Sequence, residues 1–145
     1  MLNDLIKKLQ SPKSSQRRTA AKKLRKIGNH DSCSALMKAL EKELQNKRSW
    51  ETQYHMVMAI GQSKCLSMIN DLYRLLASTD LQPMVRVAFG DAIARLEGNS
   101  NFLEKAFQER DIDLLSGALR AMAMEQISLP IDFVDEIIDL SLIHI

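Results

Sequence analysis

Apolar residues recur at three- and four-residue intervals along almost the whole 145-residue chain, and no segment shows the strict alternation of a β-strand. This spacing predicts nine helices joined by short turns, over residues 2–10, 15–28, 32–46, 49–61, 65–77, 82–97, 100–109, 112–127 and 131–139. Turns this short connect antiparallel neighbours. The chain is therefore predicted to be all-α and built from helical hairpins.

The even-numbered predicted helices resemble one another. The copies are "RRTAAKKLRKIG" (17–28), "WETQYHMVMAIG" (50–61), "RVAFGDAIARLEG" (86–98) and a weaker "LLSGALRAMAM" (114–124). The second copy begins with Trp50 where the first and third begin with arginine. A repeat period of 28 to 36 residues with two helices per unit is typical of an α-solenoid, in which stacked hairpins bury one continuous core.

The glycines support this helix map. Gly28, Gly61 and Gly98 fall at the ends of the first three copies, where each is predicted to take a left-handed helix-capping conformation. Gly90 and Gly117 fall inside predicted helices, where glycine is unfavourable. They occupy the small positions of the repeat, so neighbouring helices are expected to approach closely there.

The segment "DLQPMVRVAFGDAIARLEG" (80–98) resembles the HEAT repeat family (HEAT/PBS-lyase-like), and "SPKSSQRRTAAKKLRKIG" (11–28) is similar to it. The resemblance covers about residues 2–139 as four and a half units. It implies a right-handed α-solenoid of stacked antiparallel hairpins, an armadillo-type fold. It also implies that Arg17, Asp80 and Arg86 have a structural role in tying adjacent repeats together.

The sequence predicts a single HEAT-like domain over residues 1–139. Residues 140–145, "LSLIHI", are what the codons CTG TCT CTT ATA CAC ATC encode, which matches a transposon-end adapter used in library preparation. We therefore expect this tail to be non-native read-through and the natural chain to be longer. The apolar face near the end of the last unit is also a candidate for self-association.

Composition excludes several classes of protein. Apolar residues make up 46% and charged residues 26% of the chain, which is typical of a globular protein. No apolar stretch approaches the ~20 residues that span a bilayer, and the N-terminus lacks a signal-peptide core, so no membrane partner and a cytoplasmic location are expected. Cys33 and Cys65 stand in separate segments without a metal-binding spacing, and we interpret them as buried, inert thiols.

No catalytic arrangement is recognisable in the sequence. The three histidines, His30, His55 and His144, have no nucleophile motif around them, and the C-terminal carboxylates match no calcium-loop spacing. We therefore expect no metal, no cofactor and no enzymatic activity.

Positive charge is concentrated at the start of the chain. Residues 1–30 contain nine Lys or Arg and one acidic residue, Asp4, a net charge of +8, so the other 115 residues carry −6 within the total of +2. The predicted second helix carries the candidate binding residues, which are Arg18, Lys22, Lys23, Arg25 and Lys26. A basic helix face is most often simply solvated, and the alternative is a site for phosphate groups or an acidic protein segment.

Two aromatic residues of the predicted fourth helix lie near these cations in the repeat alignment. Tyr54 occupies a packing position and is expected in the core. Trp50 is either a core residue or a binding residue that stacks on a base or anchors a peptide.

These features favour a non-catalytic scaffold that binds another protein, acidic in character, through its concave surface. The alternative is a nucleic-acid-binding protein similar to the HEAT-like DNA glycosylases, using the basic first repeat. Against this alternative, the even-numbered helices after the first copy contribute only Arg86, Arg95 and Arg120 to the positive charge of that surface. A bilin-lyase-like role, a third possibility, has no chromophore site to support it.

Overall fold

The computed structural model describes residues 1–129, 134–136 and 138–139, and none of these residues lies in a β-strand. Its α-helices up to residue 129 are α1 (Leu2–Lys8), α2 (Ser14–Ile27), α3 (Cys33–Glu43), α4 (Trp50–Gln62), α5 (Ile69–Ser78), α6 (Pro83–Glu97), α7 (Asn101–Gln108) and α8 (Ile112–Met124). The short 3-10 helices His30–Ser32, Lys47–Ser49 and Leu66–Met68 precede α3, α4 and α5. The all-α prediction is confirmed for these residues.

The chain beyond residue 129 is described in part. Residues 134–136 and 138–139, which fall in the predicted ninth helix, are helical. The suspected adapter tail, residues 140–145, lies outside the described residues, so the predicted domain limits stay a prediction. Within the described part of the chain, no helix has both the length and the apolar character needed to cross a bilayer.

Two of the three glycines predicted to end helices do so. Gly28 and Gly98 cap α2 and α6 with left-handed φ values of 62° and 70°. The prediction for Gly61 is wrong, because α4 continues to Gln62 and Gly61 is buried against Ala92 of α6. The left-handed residue after α4 is Lys64, with φ 59°. The left-handed residue after α4 therefore lies three residues beyond the predicted position.

The even-numbered helices form a continuous row. The helix α2 packs on α4, α4 packs on α6 and α6 packs on α8, while α1, α3, α5 and α7 each pack on the even-numbered helix that follows. The core between them is apolar and contains Leu24, Met56, Ile60, Phe89 and Ile93, all fully buried. Each helix of the row buries its apolar face against at least two other helices. Loss of any one of them would therefore expose part of the core to water.

The closest helix contact is the crossing of α6 and α8. A Cβ atom added at Gly90 would collide with the backbone of Leu114, and one added at Gly117 would collide with the backbone of Val87 and Asp91. The predicted role of these two glycines is confirmed. Backbone atoms cannot rotate away as a flexible side chain can, so this crossing requires glycine on both helices.

We expect Gly117→Ala to lower the free energy of unfolding by about 3 kcal/mol, because the added methyl group must force α6 and α8 apart. The measurement is urea denaturation followed by circular dichroism. Ser116→Ala is the matched control, since Ser116 is the exposed neighbour on α8. An equal effect of the two substitutions would contradict the close crossing.

Cys33 and Cys65 form a disulfide bond, so the interpretation of both residues as inert thiols is wrong. Cys33 is the first residue of α3 and Cys65 directly precedes the 3-10 turn before α5, so they occupy similar places in successive hairpins. Stacking of the hairpins brings their Cα atoms to 5.6 Å, although 32 residues separate them in sequence. The signal in the sequence was this separation, which is close to one repeat period.

The bond closes a long loop, so it restricts the unfolded chain. For a separation of 32 residues, we expect Cys33→Ala combined with Cys65→Ala to lower the free energy of unfolding by about 3–4 kcal/mol. Urea denaturation of the native protein and the double variant measures this difference. Two thiols that react with Ellman's reagent in unfolded, unreduced protein would contradict the bond.

Candidate binding surface

Two of the predicted cations on α2 contact the neighbouring helix α4. The Arg18 guanidinium lies 3.3 Å from a carboxylate oxygen of Glu51, and the Arg25 guanidinium lies over the Tyr54 ring, 5.5 Å from its centroid. Each contact fixes the direction of a long side chain that would otherwise sample many rotamers. The face of α2 that carries Arg18 and Arg25 is therefore turned toward α4.

The three lysines among the candidate binding residues of α2 are free to bind an anion from outside the described chain. Lys22, Lys23 and Lys26 are exposed, and none has a carboxylate partner within the part of the chain that the structure describes. Among the even-numbered helices α2, α4, α6 and α8, cations without a carboxylate partner in the described chain occur in α2 alone. Arg25 is one of them, together with the three lysines. The positive potential of this surface is therefore concentrated at its first helix.

His55 of α4 reports the electrostatic field of these cations. Burial lowers the pKa of its imidazole, and the positive charges of Arg25, Lys22 and Arg18 lower it further, against an opposing effect of Glu51. Its Nδ1 atom is buried without a hydrogen-bond partner among the described residues. The half-buried imidazole of His55 thus lies within the field of three cations from α2.

Tyr54 is half-buried: it packs against the core, in keeping with its predicted packing position, and also lies between two arginines. Arg25 of α2 covers its ring, and Arg120 of α8 donates a hydrogen bond to its hydroxyl oxygen at 3.4 Å. Its ring also meets the His55 ring edge-on, with 5.2 Å between centroids. The sequence placed Arg120 sixty-six residues away from Tyr54, so only the stacking of α8 over α6 could bring them together.

Trp50 is the first residue of α4 and is 39% exposed, so it belongs to the surface. It does not occupy the position equivalent to Arg17. The fourth residues of α2, α4 and α6 are Arg17, Gln53 and Arg86. Gln53 fills that position in α4 and donates from Nε2 to the carbonyl oxygens of Glu43 and Asn46.

The two predicted structural arginines pair with carboxylates of the next hairpin. Arg17 donates to both carboxylate oxygens of Glu43, at 2.8 and 3.2 Å, and Arg86 pairs with Asp111. Asp80, assigned the same role, lies 3.8 Å from Lys47 with its side chain 92% exposed. It has no contact with Arg86 among the described ion pairs, so the acidic partner of that arginine is Asp111 instead.

A buried ion-pair network in the C-terminal half was not predicted. Arg95 donates to Asp91 at 3.1 Å and to Glu125 at 2.6 Å, while Lys64 lies 3.3 Å from Glu125. Arg120 approaches the second oxygen of Asp91 to 4.0 Å. The hydrogen bond from Arg95, assisted by Lys64, lowers the pKa of the Glu125 carboxyl. Two carboxylates thus serve three cations here, and Arg95 is the cation that pairs with both of them.

We expect Arg95→Met to lower the free energy of unfolding by about 3–5 kcal/mol, because it leaves the buried Asp91 carboxylate without its main partner. Urea denaturation at pH 7 measures the loss. The matched control is the double variant Asp91→Leu with Arg95→Met, which removes both charges and should recover most of the stability. A double variant that is no more stable than Arg95→Met would contradict this account.

No group of three or more His, Cys, Asp or Glu side chains in the described segments could hold a metal ion. The surface offers cations and a hydrogen-bonding hydroxyl, which are groups that bind anions, beside an aromatic ring that Arg25 covers. In the comparisons with known proteins, no protein-family model, no curated protein and no solved structure matches this chain.

Proposed function

We propose that the protein is a HEAT-like α-solenoid that binds an acidic segment of another protein along the row formed by α2, α4, α6 and α8. This row would form the concave surface of the array, and the cations of α2 would hold the partner. No catalytic step is part of the proposal.

Two contacts that pass over α6 support a concave row. Arg120 of α8 reaches Tyr54 of α4, and Glu125, which follows α8, reaches Lys64, which follows α4. Side chains of alternate helices meet in this way when the surface curves inward, since curvature shortens the distance across the intervening helix. The odd-numbered helices would then form the outer layer.

The observation that carries the proposal is the uneven pairing of cations along this row. Lys22, Lys23 and Lys26 have no carboxylate partner in the described part of the chain, whereas Arg95 is enclosed by Asp91 and Glu125. Exposed cations that no carboxylate of the chain neutralises attract an anionic protein segment, and water hydrates them in its absence. Such a localised patch fits a short acidic peptide segment.

The nucleic-acid alternative requires a longer positive track. A duplex presents a phosphate charge about every 1.7 Å of helix axis, so binding proteins spread cations along the groove. Here α4 carries no Lys or Arg, and Arg95 and Arg120 of α6 and α8 face the carboxylate of Asp91. This charge pattern favours an acidic protein segment over a duplex.

We expect a fluorescent ten-residue glutamate-rich peptide to bind the purified protein and to lose about tenfold in affinity in the triple variant Lys22→Gln, Lys23→Gln and Lys26→Gln. Fluorescence anisotropy at 50 and 200 mM salt measures the affinity. The matched control is Lys7→Gln, Lys8→Gln and Lys13→Gln, which removes the same charge from exposed positions outside α2.

Equal losses in the two triple variants would show a general charge effect and contradict the proposed surface. A random-sequence DNA duplex is measured in parallel. Duplex binding that is tighter than peptide binding, with a steep salt dependence that weakens in the α2 variant, would favour the nucleic-acid alternative.

A further inference from the structure

Four cations from two distant helices converge on the aromatic pair of α4. Arg18, Lys22 and Arg25 of α2 act on His55, and Arg25 also covers Tyr54, which edge-stacks on His55. Arg120 of α8 donates a hydrogen bond to the hydroxyl of the same Tyr54 at 3.4 Å. This group, which we call the Tyr54 cluster, consists of Arg18, Lys22, Arg25, Tyr54, His55 and Arg120.

Each of the three arginines of the Tyr54 cluster has a contact on the protein that favours one orientation before any ligand binds. Glu51 orients Arg18, the Tyr54 ring orients Arg25, and the Tyr54 hydroxyl together with Asp91 orients Arg120. Guanidinium groups fixed in this way lose little side-chain entropy on binding an anion. Lys22 is exposed and free to move onto the ligand.

The positive charge of the cluster exceeds its internal compensation. Glu51 lies near Arg18 alone, at 3.3 Å, and the carboxylate of Asp91 is shared with Arg95, which approaches it more closely than Arg120 does. Arg25 and Lys22 have no carboxylate partner among the described residues. Several charges on one small area suit a compact ligand that carries more than one negative charge.

We infer that the Tyr54 cluster is a phosphate-binding site that takes the phosphomonoester group of a phosphorylated residue in the acidic partner segment. The inference rests on the proposed function, since it names the group that the partner presents to the same surface. A phosphomonoester carries a charge of about −1.5 to −2 near neutral pH and three acceptor oxygens, which match two or more guanidinium donors.

A phosphorylated protein segment fits this cluster better than a nucleic-acid backbone does. Each backbone phosphodiester carries a single charge and is followed by others that need cations of their own. Beyond the Tyr54 cluster, Arg95 of α6 and Lys64 after α4 are already paired with Asp91 and Glu125. The cluster is thus a point of high charge and lacks the continuation that a polymer of phosphates requires.

His55 provides a readout that is specific to the site. Burial lowers its pKa, the cations of α2 lower it further, and Glu51 opposes them. A phosphate anion bound among these cations adds negative charge beside the imidazole, so the pKa of His55 should rise on binding. An anion bound elsewhere on the basic first hairpin would leave this pKa nearly unchanged.

The experiment uses the full chain and three versions of one acidic peptide, with phosphoserine, serine or glutamate at its centre. We expect the phosphoserine peptide to bind about tenfold more tightly than the other two and to raise the pKa of His55 measured by NMR. Inorganic phosphate at millimolar concentration should also raise this pKa, whereas acetate at equal ionic strength should not.

Substitutions within and outside the Tyr54 cluster test whether the preference for the phosphoserine peptide arises there. Arg25→Gln and Arg120→Gln should each remove most of the preference for the phosphoserine peptide, while Arg48→Gln, an exposed residue before α4, should leave it unchanged. Arg25 and Arg120 are partly or fully exposed, so both variants are expected to fold.

The outcomes separate the inference from the proposed function. Binding of all three peptides with equal affinity and no change in His55 overturns the phosphate site and leaves the acidic-segment proposal in place. No binding of any peptide overturns both. A duplex that displaces the phosphoserine peptide and raises the pKa of His55 equally well overturns the assignment of the site to a phosphorylated protein segment.

Discussion

The crossing of α6 and α8 at Gly90 and Gly117 sets the distances on which the rest of the surface depends. Because backbone meets backbone there, α8 lies close enough over α6 for Arg120 to reach Tyr54 on α4. The same approach brings Glu125 to Arg95 and to Lys64. A wider crossing would separate all of these pairs at once, so two glycines determine where polar side chains on and next to α4, α6 and α8 meet.

The sequence predicted the helices and this crossing because both depend on local properties. Apolar spacing defines a helix wherever it occurs, and glycine inside a helix is unfavourable unless packing demands it, which made Gly90 and Gly117 informative. The Cys33–Cys65 bond, the position of Tyr54 and the Asp91–Arg95 pair depend instead on the register between hairpins. The turn after α4 comes three residues later than predicted, at Lys64 and not at Gly61. This shift was enough to hide the register from the sequence.

The repeats differ in their carboxylates as much as in their cations. Arg95 resembles the α2 cations in the sequence, yet Asp91 and Glu125 both pair with it in the structure. The helix α2 lacks acidic residues of its own, and among the described residues its carboxylate partners are Glu51 and Glu43 from the helices beside it. Counting basic residues in each helix therefore overestimates the positive electrostatic potential of α6 and α8. It also underestimates how strongly α2 differs from them.

The disulfide between Cys33 and Cys65 divides the array into regions of different cooperativity. It joins the second hairpin covalently to the start of the third, so these units cannot separate during partial unfolding. The first hairpin, α1 and α2, lies outside the bond and is held by packing on α4 and by the Arg17–Glu43 pair. Because no disulfide joins this hairpin to α3 or α5 as one joins those two, it can open separately from them. A partner bound across α2 and α4 would oppose that opening and slow hydrogen exchange in α2, so recognition would be coupled to local order.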